Sequence, residues 1–525
     1  MLKSNFPAFI VITAILFTAF APDSTPTVFA ETITAKDLKT HLSILASDEY
    51  EGRETGEKGQ KMAATYIADK FRSSGIPELP GGGYYQDVPL LKLEPGEGSV
   101  SAAGKTYSFG KDFYYLQGTE DGETKSSQLV FAGYGIQDSA YKDYEGLDVR
   151  GKTVMVLAGE PYKKSGISLL SGKKEPSIWA TQRRRKTNEA RSRDAAILLI
   201  VVPDFRQAMK ESEHAIHSPT LELYEEIVVA APKKTTTLIY ISPEMANELL
   251  KAGGEKKTVQ KFASKIAKTK KTVHSEISVD IMLSIRRKSE VIHTENVLGY
   301  ISGSDLKDEL IVITAHYDHL GKEGSVVYNG ADDDGSGTVA VIELAEAFAK
   351  AKKDGHGPRR SLLFMAVTGE EKGLLGSRWY SEHPFFPLQN TVCNLNIDMI
   401  GRIDALHKDD SNYIYVIGSE KLSSELKKIN EAANAKYTKL NLDYRYDVPN
   451  DPNMFYYRSD HYNFARKGIP VAFYFNGVHP DYHKETDEIE KISFPMMEVR
   501  TRLVFYAAWE LANRNDRIAL DQKKK

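Results

Sequence analysis

The second half of this chain holds a series of short apolar runs, three of them closed by side chains that bind protons or metals. Leu310–Ala315 runs into His316-Tyr317-Asp318-His319, Ser361–Val367 into Thr368-Gly369-Glu370-Glu371, and Val392–Ile397 into Asp398. Tyr413–Ile417 and Val471–Phe475 are further runs of this kind. Between them Val341, Leu344, Ala345 and Phe348 recur at i, i+3, i+4 and i+7, one face of a helix. Strands that alternate with helices predict an α/β fold, a mostly parallel central sheet flanked by helices. In such sheets ligands gather at the carboxyl ends of the strands.

The residues at those ends share one chemistry. A helix entrance carries Asn329-Gly330-Ala331-Asp332-Asp333-Asp334-Gly335-Ser336-Gly337, and a late loop carries Asp481-Tyr482-His483-Lys484-Glu485-Thr486-Asp487. Imidazole nitrogen mixed with carboxylate oxygen is a donor set for Zn²⁺, with Mn²⁺ or Co²⁺ as substitutes. Two His and three carboxylates exceed what one catalytic zinc uses. They suit a pair of ions that share a bridging carboxylate and turn a water into hydroxide at neutral pH. Glu370 and Glu371 are adjacent, so in extended backbone their side chains diverge. One can bind metal while the other takes the proton as general base. Composition alone leaves Asp332, Asp333 and Asp334 equally eligible as the bridge.

Taken together, HYDHLG (316–321), NGADDDGSG (329–337), TGEEKGLLGS (368–377), NIDMIGR (396–402) and YHKETD (482–487) resemble the secreted co-catalytic, di-zinc aminopeptidase family. That family includes bacterial leucyl aminopeptidases and glutamate carboxypeptidases. The resemblance covers about 290 to 515 and extends weakly to ASDEYEGRETGEKG (46–59). It implies two Zn²⁺, one on His316 and Asp398, the other on Glu371 and His483. Asp333 is the implied bridge, because the family's bridging Asp lies two residues before the Gly of Gly-Ser-Gly. It further implies Glu370 as general base, Asp318 as the carboxylate that orients His316, and Tyr482 as a group that polarises the scissile carbonyl. The peptide bond after the bridging Asp is expected to be cis. His319, His383 and His479 receive no ligand role.

The middle of the chain resembles a protease-associated domain, a smaller β-rich insertion. VFAGYGI (130–136), YKDYEGLDVRGKTVMVLAGEP (141–161) and KTNEARSRDAAILLIV (186–201) carry that likeness. Such domains act as lids or as surfaces that contact substrate or protein partners. The expected organisation is a signal peptide at 1–30, the first part of the peptidase domain at 31–124, the insertion at 125–285 and the catalytic domain at 286–525. Lysines crowd between Lys251 and Lys271, which reads as a solvated helix face and linker.

The N-terminus has the order of an export signal: Lys3, an apolar stretch from Phe6 to Ala21, then Val28-Phe29-Ala30 before a cut at Glu31. A secreted or periplasmic protein follows, without stable membrane insertion once the signal is removed, since no later segment reaches the roughly 20 apolar residues of a spanning helix. With 69 basic and 72 acidic residues, no nucleic-acid partner is expected. Cys393 is the single cysteine, so no intramolecular disulfide forms. The resulting expectation is a zinc aminopeptidase acting on peptides with a free N-terminus. A glutaminyl cyclase-like or carboxypeptidase-type member, or a non-catalytic receptor-like protein, stands as the alternative.

Overall fold

The computed structural model describes residues 25–116, 121–163, 165–225 and 236–522. The export signal expected at 1–30 lies outside the described residues as far as residue 24. The chain forms two compact units, Met1–Val88 with Thr294–Lys525, and Pro89–His293.

The first unit is built on a sheet whose strands follow the order Asn441–Asp443, Tyr413–Ile417, Val471–Phe475, Thr391–Ile397, Leu306–His316, Arg360–Val367, Ser289–Ile301 and Tyr85–Leu93. Leu306–His316 runs parallel to both neighbours, pairing Ile313 with Phe364 on one side and with Leu395 on the other. Antiparallel pairing enters at Ser289–Ile301 and Tyr413–Ile417. Successive side chains leave a strand on opposite faces, so these apolar runs feed two cores. Ile311 and Ile313 join the helices Ala35–Leu45, Lys58–Ser73, Gly337–Lys353 and Phe494–Asn513. Leu310 and Val312 meet Tyr380 and Phe464 of Leu375–Glu382 and His461–Ala465 on the other face.

A short helix, Thr25–Ala30, also packs into this unit. Phe29 is buried and stacks on Trp509 at 5.8 Å, while Arg502 Nε donates to the Ala30 carbonyl at 3.0 Å. A cut between Ala30 and Glu31 would take this helix away from the core.

The second unit holds an eight-stranded sheet in the order Lys105–Ser108, Glu97–Ala102, His274–Arg286, Gly122–Ala132, Thr153–Leu157, Ile197–Val201, Thr237–Ile241 and Phe113–Tyr114. Its boundary departs from the expected 125 and 285. Glu97–Ala102 pairs with His274–Arg286, so residues 89–124 belong here and not to the first unit. Among the described residues no helix is long and apolar enough to cross a membrane.

Candidate metal centre

Three neighbouring parallel strands end on the same side of the first sheet and deliver His316, Glu370 with Glu371, and Asp398. The helix entrance at 331–336 brings Asp333, and the peptide bond from Asp333 to Asp334 is cis. Asp487 fixes this turn: its Oδ2 accepts from the backbone N–H of both Asp332 and Asp333, each at 3.1 Å.

Asp333 stands between the two histidines and offers each a different oxygen. Oδ1 is 3.4 Å from His316 Nε2, and Oδ2 is 3.1 Å from His483 Nε2. His316 Nε2 is also 3.7 Å from Asp398 Oδ1 and 3.8 Å from Glu370 Oε2. His483 Nε2 is 3.2 Å from Glu371 Oε2. The five expected donors therefore converge. Asp334 comes within the same reach of His316 and Asp398. Its oxygens, however, accept from the backbone N–H of His316, Gly337 and Met399, which leaves Asp333 as the available carboxylate.

The electrostatics fit a site made for cations. Asp333 Oδ2 and Glu371 Oε1 are buried without a well-directed hydrogen bond, each facing only imidazole nitrogen. Such orphaned acceptors among mixed N and O donors suit a divalent ion. Burial pushes Asp333 upward, yet the facing imidazoles of His316 and His483 hold it well below the ordinary range. Glu371 is likewise held at about 2 against burial, by His319 and His483. Glu370 moves the opposite way. Burial lifts it well above the usual carboxylate range, opposed by His316 and aided by the charges of Glu371, Asp398 and Asp460.

His316 Nδ1 lies 3.0 Å from the Asp318 backbone carbonyl and 3.9 Å from its carboxylate Oδ1. Oδ1 also accepts from the Glu370 N–H at 3.1 Å, while Oδ2 accepts from Thr55 at 2.7 Å. Asp318 thus fixes the backbone of Glu370.

Tyr482 stacks on His483 at 3.9 Å and lines a pocket with His316, Asp333, Glu370 and Asp398. Met399, Phe455, Phe473, Phe475 and Val478 form the apolar wall of that pocket, and Arg458 donates to the Tyr482 hydroxyl at 3.3 Å.

Sequence reasoning passed over two residues. His319 is fully buried, with Nδ1 2.9 Å from Glu371 Oε1. Its place three residues after His316 was the available signal. Arg53 is buried and donates to the carbonyls of Leu45, Tyr317, Asn329 and Gly330 at 2.7 to 3.0 Å, tying the loops after His316 and before Asp333 together. Arg402, by contrast, pairs with Asp481 at 2.9 Å.

Residues 296–508 match the model of Peptidase family M28. The chain is similar to Aminopeptidase YwaD of Bacillus subtilis, 28% identical over 226 residues (41% of this chain, 44% of the relative). It is 29% identical over 212 residues to a probable leucine aminopeptidase of Trichophyton verrucosum (39% of this chain, 55% of the relative). The chain thus spans about half the length of these curated relatives. Among solved structures, an aminopeptidase from Aneurinibacillus sp. strain AM-1 shares the fold, with a TM-score of 0.54 at 17% identity over 95% of this chain and 98% of that one. The stretch that carries the centre, residues 296–508, is thus the part of the chain that matches the model of Peptidase family M28.

Proposed function

We propose that the protein is an exported zinc aminopeptidase that removes the N-terminal residue from peptides and uses two ions. The observation that carries this reading is Asp333, which directs one oxygen to His316 and the other to His483. His316, Asp333 and Asp398 would hold one ion, and Asp333, Glu371 and His483 the other. Zinc bound there supplies Lewis acidity and a water acidic enough to act as nucleophile near pH 7.

The chain's own residues complete the reaction. Glu370, held by Asp318 through its N–H, takes the proton of the attacking water and passes it to the leaving amine. The Tyr482 hydroxyl donates to the carbonyl oxygen as charge develops there, and Arg458 contacts the same hydroxyl. Met399, Phe455, Phe473, Phe475 and Val478 offer an apolar pocket for the side chain of the N-terminal residue.

Relatives named aminopeptidase and leucine aminopeptidase match over 226 and 212 residues, against 105 for a probable glutamate carboxypeptidase, which favours this reading over a carboxypeptidase. The export-type N-terminus supports a secreted or periplasmic location. The second unit is proposed to be the protease-associated domain; parallel Gly122–Ala132, Thr153–Leu157 and Ile197–Val201 with the helix Arg183–Ser192 support that.

Aminoacyl-nitroanilides and their N-acetylated forms, assayed with and without chelator, test the reading. Free substrates should be cleaved, acetylated ones spared, and chelated enzyme restored by zinc. Equal cleavage of both substrates, or full activity under chelation, would overturn it.

A further inference from the structure

Between Lys251 and Lys271 stand eight lysines and one acidic residue, Glu255, a net charge of +7 in a chain whose total is −3. The rest of the molecule therefore sums to −10. All eight lysines are exposed. The helix Val259–Thr269 buries Val259, Phe262 and Ile266 in the core of the second unit. Lys261, Lys265 and Lys268, at i, i+4 and i+7, consequently share its outer face. Lys256 and Lys257 precede the helix, Lys270 and Lys271 follow it, and Lys251 closes the helix before it.

The acids closest in sequence are engaged elsewhere. Glu248 pairs with Lys105, Glu276 pairs with Lys152 at 3.1 Å, and Glu255 accepts from Ser275 at 2.7 Å and from the Lys257 N–H. No described carboxylate forms an ion pair with any of the eight. Eight like charges within 21 residues repel each other, so the segment is electrostatically unfavourable in the free protein and complementary to a negative surface.

The residue types narrow that surface. Every cation is a lysine; arginine, with the planar fork that grips single phosphates, is missing from the segment. The segment's one aromatic residue, Phe262, is buried, so nothing there can stack on bases. A lysine cluster of this size, on and around an amphipathic helix, suits anionic lipid headgroups. Because the apolar side is sealed inside the fold, contact would be electrostatic and without insertion. We propose that this lysine face docks the protein onto an anionic lipid bilayer.

The test is co-sedimentation of the full chain with phosphatidylcholine vesicles and with vesicles that also contain phosphatidylglycerol, at physiological and at molar salt. Binding is expected to the anionic vesicles only, and to be lost at high salt. The triple variant Lys261→Glu/Lys265→Glu/Lys268→Glu should lose at least about tenfold in partitioning; circular dichroism checks that it is folded. Lys→Arg at the same positions should keep binding. Equal binding to neutral vesicles, no binding to anionic ones, or undiminished binding by a folded Glu variant would overturn the proposal. So would capture by soluble polyphosphate without enrichment on anionic vesicles.

Discussion

His319 Nδ1 stands 2.9 Å from Glu371 Oε1, and the other oxygen of the same carboxylate is 3.2 Å from His483 Nε2. The His319 ring is wedged against Gly330, where a Cβ would approach its Cδ2 to 2.4 Å, so the imidazole has little room to turn. A fixed imidazole fixes the carboxylate it faces. His319→Ala should weaken zinc binding by about 10–100-fold, read by competition with a chromophoric chelator. Unchanged affinity would remove His319 from the centre.

Glu370 should separate from the metal donors by experiment. Glu370→Gln is expected to keep its zinc content and lose at least about two orders of magnitude in turnover of an aminoacyl-nitroanilide. Elemental analysis beside the assay checks both halves. Near-normal turnover would exclude Glu370 as the base.

Phe29 fills the first core from a segment that sequence reasoning assigned to the export signal. Phe29→Ala should cost about 3–5 kcal/mol in chemical denaturation. A chain that begins at Glu31 should melt below one that begins at Thr25. Equal melting temperatures would show that the helix adds nothing.

Asp143, in the second unit, is pushed up to about 6 by burial, against the backbone N–H groups of Ile136 and Tyr134. The folded state holds this proton more tightly than the unfolded chain, where the value is near 3.8. Its contribution is therefore complete below about pH 4 and is lost as pH rises through about 6, up to roughly 3 kcal/mol in all. Asp143→Asn, which keeps an acceptor for both N–H groups, should flatten that slope in denaturation measured between pH 4 and 7.

The strands that end at His316, Glu370 and Asp398 were legible because burial on both faces leaves unbroken apolar runs, Leu310–Ala315 being the clearest. Glu97–Ala102 was not: its GS-rich, half-exposed sequence lacks that signature, and its partner His274–Arg286 lies far along the chain. The unit boundary was misplaced for that reason. The donors at the centre were legible as residue types at strand ends. Which atoms of Asp318 serve which neighbour was not, since the rival claims of Thr55 and the Glu370 N–H arise only in three dimensions. Arg53 stood in plain view within EGRETG, but nothing local distinguishes a guanidinium bound for four carbonyls from a solvated one.

Arg53 lies far upstream of residues 296–508. A fragment trimmed to that stretch would leave the carbonyls of Tyr317, Asn329 and Gly330 without their donor, and with them the loops that carry two histidines and the aspartates. Any shortened version meant to retain a formed centre must keep the opening helices, because the keystone of the arch is laid before the arch itself.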